Sequence, residues 1–282
     1  MVARRRNKTR TGVWGYLSHA GAWAYGLVLA VPLYYLIITT SKSNVDIFNS
    51  PAALPSTWSL DNFFRAWDFA ALPQAMGNSA FITGASEIVT LALALPAAYG
   101  LARAEGRLSR LVERVFAAGF LIPAFAALVP TALLAINIGL FYNPLFLVLF
   151  FPATQMPLSV LLLTQFMRSI PKDVEESAMM DGASRWAILW RIYTPMIVPG
   201  IVTVAVLNFL TFWNDYLFSL VILGTDTATR TVQVAIPTLI GQSTQFGVLA
   251  AANVISLIPV FVVYTLLQRR SENALVAGAV KG

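Results

Sequence analysis

Glu176-Ser177-Ala178-Met179-Met180-Asp181-Gly182-Ala183 is a short polar segment set between two long apolar runs, with Ile192 and Pro195 following it. Its residue types suit docking better than catalysis, because small side chains permit close approach of another backbone. Three other places carry groups that could do chemistry. Trp213, Asn214, Asp215 and Tyr216 combine aromatic faces with hydrogen-bonding groups, a set that suits a sugar path. Such a polar group inside an apolar run can equally fix helix packing. Glu87 lies about half-way along another apolar run and is a further candidate for the substrate path, with a structural role or a proton relay also open. His19 is the single histidine, at the start of the first run. With no cysteine in the chain, disulfides, thiol nucleophiles and thiolate metal sites are excluded. No G-x-x-x-x-G-K-[ST] loop is present to cradle nucleotide phosphates.

The elements that must position these groups are apolar helices. The 282 residues have a mean hydropathy of +0.70 and are 11% charged, against roughly 25% in a soluble domain. Continuous apolar runs of about 20 residues predict helical spans. Barrel strands would alternate instead. Six spans are expected, at about 19–40, 76–102, 115–138, 144–167, 197–223 and 246–268. The first run follows Arg4, Arg5, Arg6, Lys8 and Arg10 and is too long for a signal-peptide core, so it is read as a retained span.

Charge sorts the connections. The N-terminal tail (1–18), the connection with Arg103, Arg107, Arg110 and Arg114, the one with Arg168, Lys172, Arg185 and Arg191, and the tail from 269 to 282 hold sixteen of the 19 basic residues. Lys42, Arg65 and Arg230 fall on the other side. The positive-inside rule makes the first side cytoplasmic, with both termini there. The net charge of +6 is thus a topology signal rather than a nucleic-acid footprint. On the outer side, residues 41–75 form a long loop whose Trp58, Phe63, Phe64 and Trp67 predict a packed cap or a surface helix. Several spans contain proline, which shapes helices or lines a path with bent ones.

Within the polar segment, Pro171 opens a short helix whose Asp173, Glu175 and Glu176 suit the positive end of the helix dipole. Gly182 supplies the positive φ that ends it, Ser184 can cap a second helix, and Pro195 stops that one. Trp186, Leu189, Trp190 and Tyr193 share roughly one face of the second helix. Two short cytoplasmic helices between about 171 and 194, bent at Gly182, are expected. On spacing alone they are a docking or surface element with an unnamed partner.

Glu176-Ser177-Ala178-x-x-Asp181-Gly182-Ala183, continued by Ile192-x-x-Pro195, resembles the EAA motif of ABC importer permeases, with Ser177 where Ala is usual. Ala153 to Pro157 and Trp213 to Phe218 resemble the carbohydrate-type permeases. Gly278 to Gly282 is similar to the tail of the maltose-type second permease. The resemblance implies an all-α, six-span permease domain (19–268) of the type I, MetI-like fold in a prokaryotic inner membrane. It implies partners: a second homologous permease, two ATPase subunits that bind ATP and Mg, and an extracytoplasmic substrate-binding protein. It makes Glu176, Ser177, Ala178, Asp181, Gly182, Ala183, Ile192 and Pro195 the coupling segment, and brings Val280, Lys281 and Gly282 toward the ATPases. This chain would carry no cofactor and no catalytic residue. The solute would be a di- or oligosaccharide, or a related polyol or glycerophosphate. A self-contained secondary transporter or channel is the alternative, and it would need ion-coupling carboxylates that only Glu87 and Asp215 could supply.

Overall fold

A computed structural model describes residues 13–241 and 244–279, and every described regular element is a helix. In chain order these are α1 (Val13–Thr39), α2 (Asn44–Asn49), α3 (Asp61–Phe69), α4 (Leu72–Arg103), α5 (Arg107–Gly119), α6 (Ala124–Asn137) and α7 (Pro144–Arg168). Then follow α8 (Lys172–Met180), α9 (Arg185–Ile188), a π-helical turn (Leu189–Tyr193), α10 (Thr194–Met196), α11 (Val198–Trp213) and α12 (Leu217–Leu223). α13 (Val232–Ala235), a 3-10 turn (Ile236–Leu239) and α14 (Phe246–Ala279) complete the chain.

The first, second, fourth and sixth apolar runs become helices long and apolar enough to cross a membrane. The third does not form one continuous helix. Pro123 has no amide hydrogen to donate and disfavours helical backbone at Ile122, so the chain leaves helix between Gly119 and Ala124. Arg107, Arg110 and Arg114 then belong to α5, a separate amphipathic helix, and the apolar remainder α6 is short. The fifth run is also interrupted. Its helix stops at Trp213 and resumes at Leu217, leaving Asn214–Tyr216 outside regular helix. At its other end, the Arg185–Met196 stretch meets Val198–Trp213 at 79°. Pro195 and Pro199 remove two amide donors around that bend at Ile197. The last helix runs through Arg269 and Arg270 to Ala279, so the stretch expected to be a tail is helical there. Val280, Lys281 and Gly282 lie outside the described residues.

The centre of the bundle is the α4–α7 pair, crossed by α11, with α14 packed on α11. α4 can approach so closely because one edge is built of small and hydroxyl side chains. Ala75, Ser79, Ser86, Thr90, Ala94 and Ala98 recur at intervals of one or two helical turns and all are buried. α1 carries a long row of exposed apolar side chains instead. Of the 41–75 loop, α3 packs on α14 through Ala66 and Ala70, while Trp58, Phe64 and Trp67 stay exposed.

The end away from the basic connections is sealed by cations. Lys42 is buried and its Nζ donates to the carbonyls of Ser50 (2.9 Å) and Pro51 (3.1 Å). Arg230, also buried, donates to the Ala70 carbonyl at 2.8 Å. Burial lowers the Arg230 pKa from its ordinary value, against the opposing pull of Asp226. Two of the three basic residues on this side therefore hold backbone together rather than face solvent.

A candidate coupling joint and a candidate path

α8 begins after Pro171 and ends on a Schellman motif. The Gly182 amide donates to the Met179 carbonyl and the Ala183 amide to the Ala178 carbonyl, both at 3.0 Å. Gly182 has φ +83°, which a glycine adopts without the Cβ penalty. Ser184 then caps α9, its hydroxyl accepting from the Ala187 amide at 3.2 Å. The two short helices and the bend expected from the sequence are present.

The face that α8 turns inward differs from expectation. Glu175, assigned above only to the helix dipole, is buried and makes the joint. Its Oε2 pairs with Arg103 Nε at 2.8 Å and accepts from the Tyr193 hydroxyl at 3.0 Å. Its Oε1 accepts from the Tyr99 hydroxyl at 2.7 Å. Arg103 also donates to the Ile170 carbonyl at 3.0 Å and to the Tyr193 hydroxyl, and lies 4.8 Å from the Tyr193 ring centre. One carboxylate thus ties α8 to the end of α4 and to the π-helical turn. Ala178, three residues on, shares the buried face and packs into this chain's own core. Glu176, Ser177, Met179, Met180 and Asp181 are exposed, and Ala183 and Ile192 are half-buried against the same core.

The second helix is divided. Trp186 and Trp190 are exposed and stacked edge to face at 5.7 Å, while Leu189 and Tyr193 are buried. The single aromatic face expected for these four does not exist. The widened π-helical turn, in which the Thr194 amide reaches the Leu189 carbonyl, changes the register between the two pairs. Pro195 is exposed within α10, and the helical stretch ends at Met196. Around the joint, Lys172 pairs with Glu105 and Arg168 with Glu113. The Lys172 ammonium hydrogen-bonded to Glu105 holds that carboxyl below its ordinary value.

The other expected site falls on the interruption of the fifth run. A cavity of about 750 Å³ is lined by Phe150, Phe151, Phe218, Gln155, Thr211 and Asp215, together with Gly119, Phe120 and Ile122 at the break between α5 and α6. A smaller one of about 350 Å³, lined by Asn214 and Tyr216, shares Thr211, Asp215 and Phe218. Asp215 Oδ1 accepts from the Ser219 amide (2.8 Å) and hydroxyl (2.9 Å). Trp213 lies outside both linings. It is buried, stacks on Phe209 and donates to the Ser256 carbonyl at 3.2 Å. Glu87 is also absent from both linings. Its carboxylate oxygens are shielded, with no hydrogen-bond partner among the described residues. The nearby Asn208 is buried and bonded to Ser159. His19 Nδ1–H donates to the Gly15 carbonyl at 2.7 Å on an exposed helix face. No group of three or more metal-ligating side chains is found among the described residues.

Residues 90–276 match a family model described as "Binding-protein-dependent transport system inner membrane component". The chain is 32% identical to the diacetylchitobiose uptake system permease protein NgcG of Streptomyces coelicolor, over 94% of this chain and 88% of that one. It is 32% identical to the melibiose/raffinose/stachyose import permease protein MelC of Bacillus subtilis, over 89% and 91%. A chain of a bacterial ABC transporter that imports the acidic polysaccharide alginate superposes with a TM-score of 0.79 at 21% identity. That match covers 95% of this chain and 99% of that one.

Proposed function

We propose that this chain, which belongs to the family of binding-protein-dependent transport system inner membrane components, is a sugar-importing permease subunit driven by a separate ATPase. In this reading it crosses the membrane six times, with α6 and the α11–α12 unit serving as the third and fifth crossings, and both termini lie in the cytoplasm. It pairs with a second homologous permease and receives solute from an extracytoplasmic binding protein. ATP and Mg are held by two ATPase subunits, and this chain takes no part in hydrolysis.

The observation that carries the proposal is the joint at α8. An exposed strip of Glu176, Ser177, Met179 and Met180 is presented on a helix whose inner face is locked to α4 through Glu175 and Arg103. A rigid link of this kind lets a push on the exposed strip reach the membrane helices. An ATPase cleft that closes on ATP would supply the push, and the 79° bend at Ile197 would pass it to the fifth crossing. The relatives' names, a diacetylchitobiose uptake permease and a melibiose/raffinose/stachyose import permease, support a di- or oligosaccharide as solute.

Affinity purification of the tagged chain from its native membrane tests this. A second permease and an ATPase should copurify, and reconstituted vesicles should take up sugar only with ATP hydrolysis. A lone chain that supports gradient-driven uptake would overturn the reading.

A further inference from the structure

The larger cavity has an unusual chemical balance. Two broken helices open onto it, one between α5 and α6, the other between α11 and α12. Helix ends leave carbonyls without intrahelical partners, and irregular backbone at membrane depth is tolerated where it is buried in protein or lines a water-filled cavity. Phe150, Phe151 and Phe218 supply flat apolar walls beside Gln155 and Thr211. Asp215 is the sole ionisable side chain among the described residues that line it. Its Oδ1 is held in place by the amide and the hydroxyl of Ser219.

We infer that this cavity passes neutral polyhydroxylated solutes and disfavours acidic ones, and that Asp215 sets the preference. Hydroxyl groups can donate to the carboxylate and to free carbonyls, and the apolar faces of sugar rings can stack on the phenylalanines. A uronate or phosphate would meet a like charge with no compensating cation among the described residues that line the cavity. The inference rests on the transport reading and narrows it. It removes glycerophosphates from the candidate solutes and sets this chain apart from its structural neighbour, whose cargo is an acidic polysaccharide.

The chain has no cysteine of its own, so Thr211→Cys provides one thiol, four residues from Asp215. In the complete importer, with partner chains made cysteine-free, that thiol is treated with a trimethylammonium-bearing and a sulfonate-bearing methanethiosulfonate. Relative to a free thiol, the cationic reagent should be favoured by roughly tenfold or more. Asp215→Asn, which keeps the oxygen that accepts from Ser219, should bring the ratio close to one. Equal rates in the parent, or a preference untouched by Asp215→Asn, would overturn the inference. So would better protection of the thiol by an alginate oligosaccharide than by melibiose. A flat ratio in a complex that still imports sugar with ATP sinks this inference alone. A clear charge preference in a chain that assembles with no ATPase sinks the transport reading instead.

Discussion

The joint at α8 and the cavity at Asp215 both place a carboxylate within a largely apolar protein, and they treat it in opposite ways. Glu175 is enclosed and fully committed, with an arginine and two tyrosine hydroxyls on its two oxygens. Asp215 is half-buried, bonded only to its own strand of backbone and side chain around Ser219, and borders open space. Commitment gives the first site rigidity, because its partners sit on other elements, Tyr99 and Arg103 on α4 and Tyr193 on the π-helical turn. The second site keeps capacity for a passing solute because its protein partners are local. Under the proposed function, the difference suits the α8 joint to transmitting force and the Asp215 cavity to meeting solute.

The largest effect is expected from breaking the committed site. Arg103→Ala leaves Glu175 buried without its cation, a loss of about 3–5 kcal/mol for a buried pair. The purified complex should melt at a lower temperature and ATP-driven uptake should vanish. Asp215→Asn should leave the melting temperature within error, since it retains the acceptor for Ser219. Equal destabilisation by the two variants would erase the contrast between the sites.

Gly182 comes next. Nothing lies within 4 Å of a Cβ built there, so no clash inside this chain opposes substitution. A leucine at φ +83° costs roughly 1–2 kcal/mol of backbone strain, whereas asparagine tolerates that region better. Gly182→Leu should abolish uptake while the protein still reaches the membrane. Gly182→Asn should keep a measurable rate if φ is the constraint, and fall as low as leucine if a partner needs the space.

Gly200 sharpens the comparison from the packing side. A Cβ there would approach the Phe166 ring to 2.5 Å, where α11 meets α7. Gly200→Ala should cost about 1–3 kcal/mol by overpacking, read as a lower melting temperature with assembly intact. The smallest effect belongs to the exposed Lys172–Glu105 pair. Glu105→Gln should leave stability unchanged near neutral pH, as surface pairs contribute little. Because the folded Glu105 carboxyl lies below its ordinary value, any contribution is present above the unfolded value of 4.5 and lost as pH falls through the lower folded one.

Local signals were legible in the sequence. Gly182, Ser184 and Pro171 each act within a few residues, so their spacing alone predicts the two short helices and the stop between them. The apolar runs at 19–40, 76–102, 144–167 and 246–268 also read directly as spans. Contacts between distant segments were not legible. Glu175 looks like any acidic residue in a first helical turn, and its role depends on Tyr99 and Arg103, more than 70 positions away. Arginine at the end of a span reads equally well as a topology charge. Trp213 belongs to the same polar–aromatic string as Asp215, yet helix rotation sends it into the core. The breaks at Phe120–Pro123 and Asn214–Tyr216 were hidden inside continuous hydropathy. Pro123 was the available signal for the first, and the Asn-Asp pair for the second. The seam of small residues on α4 was readable by its helical spacing, from Ala75 to Ala98.

The central claim is that the outer strip of α8 meets an ATPase. Ser177 is exposed there, and Ser177→Cys introduces the only thiol of a chain without cysteine. A benzophenone maleimide attached at that position in the assembled importer should, on illumination, give a covalent adduct with the ATPase subunit. Adducts with lipid alone, in vesicles whose ATP-driven uptake is intact, would contradict the account.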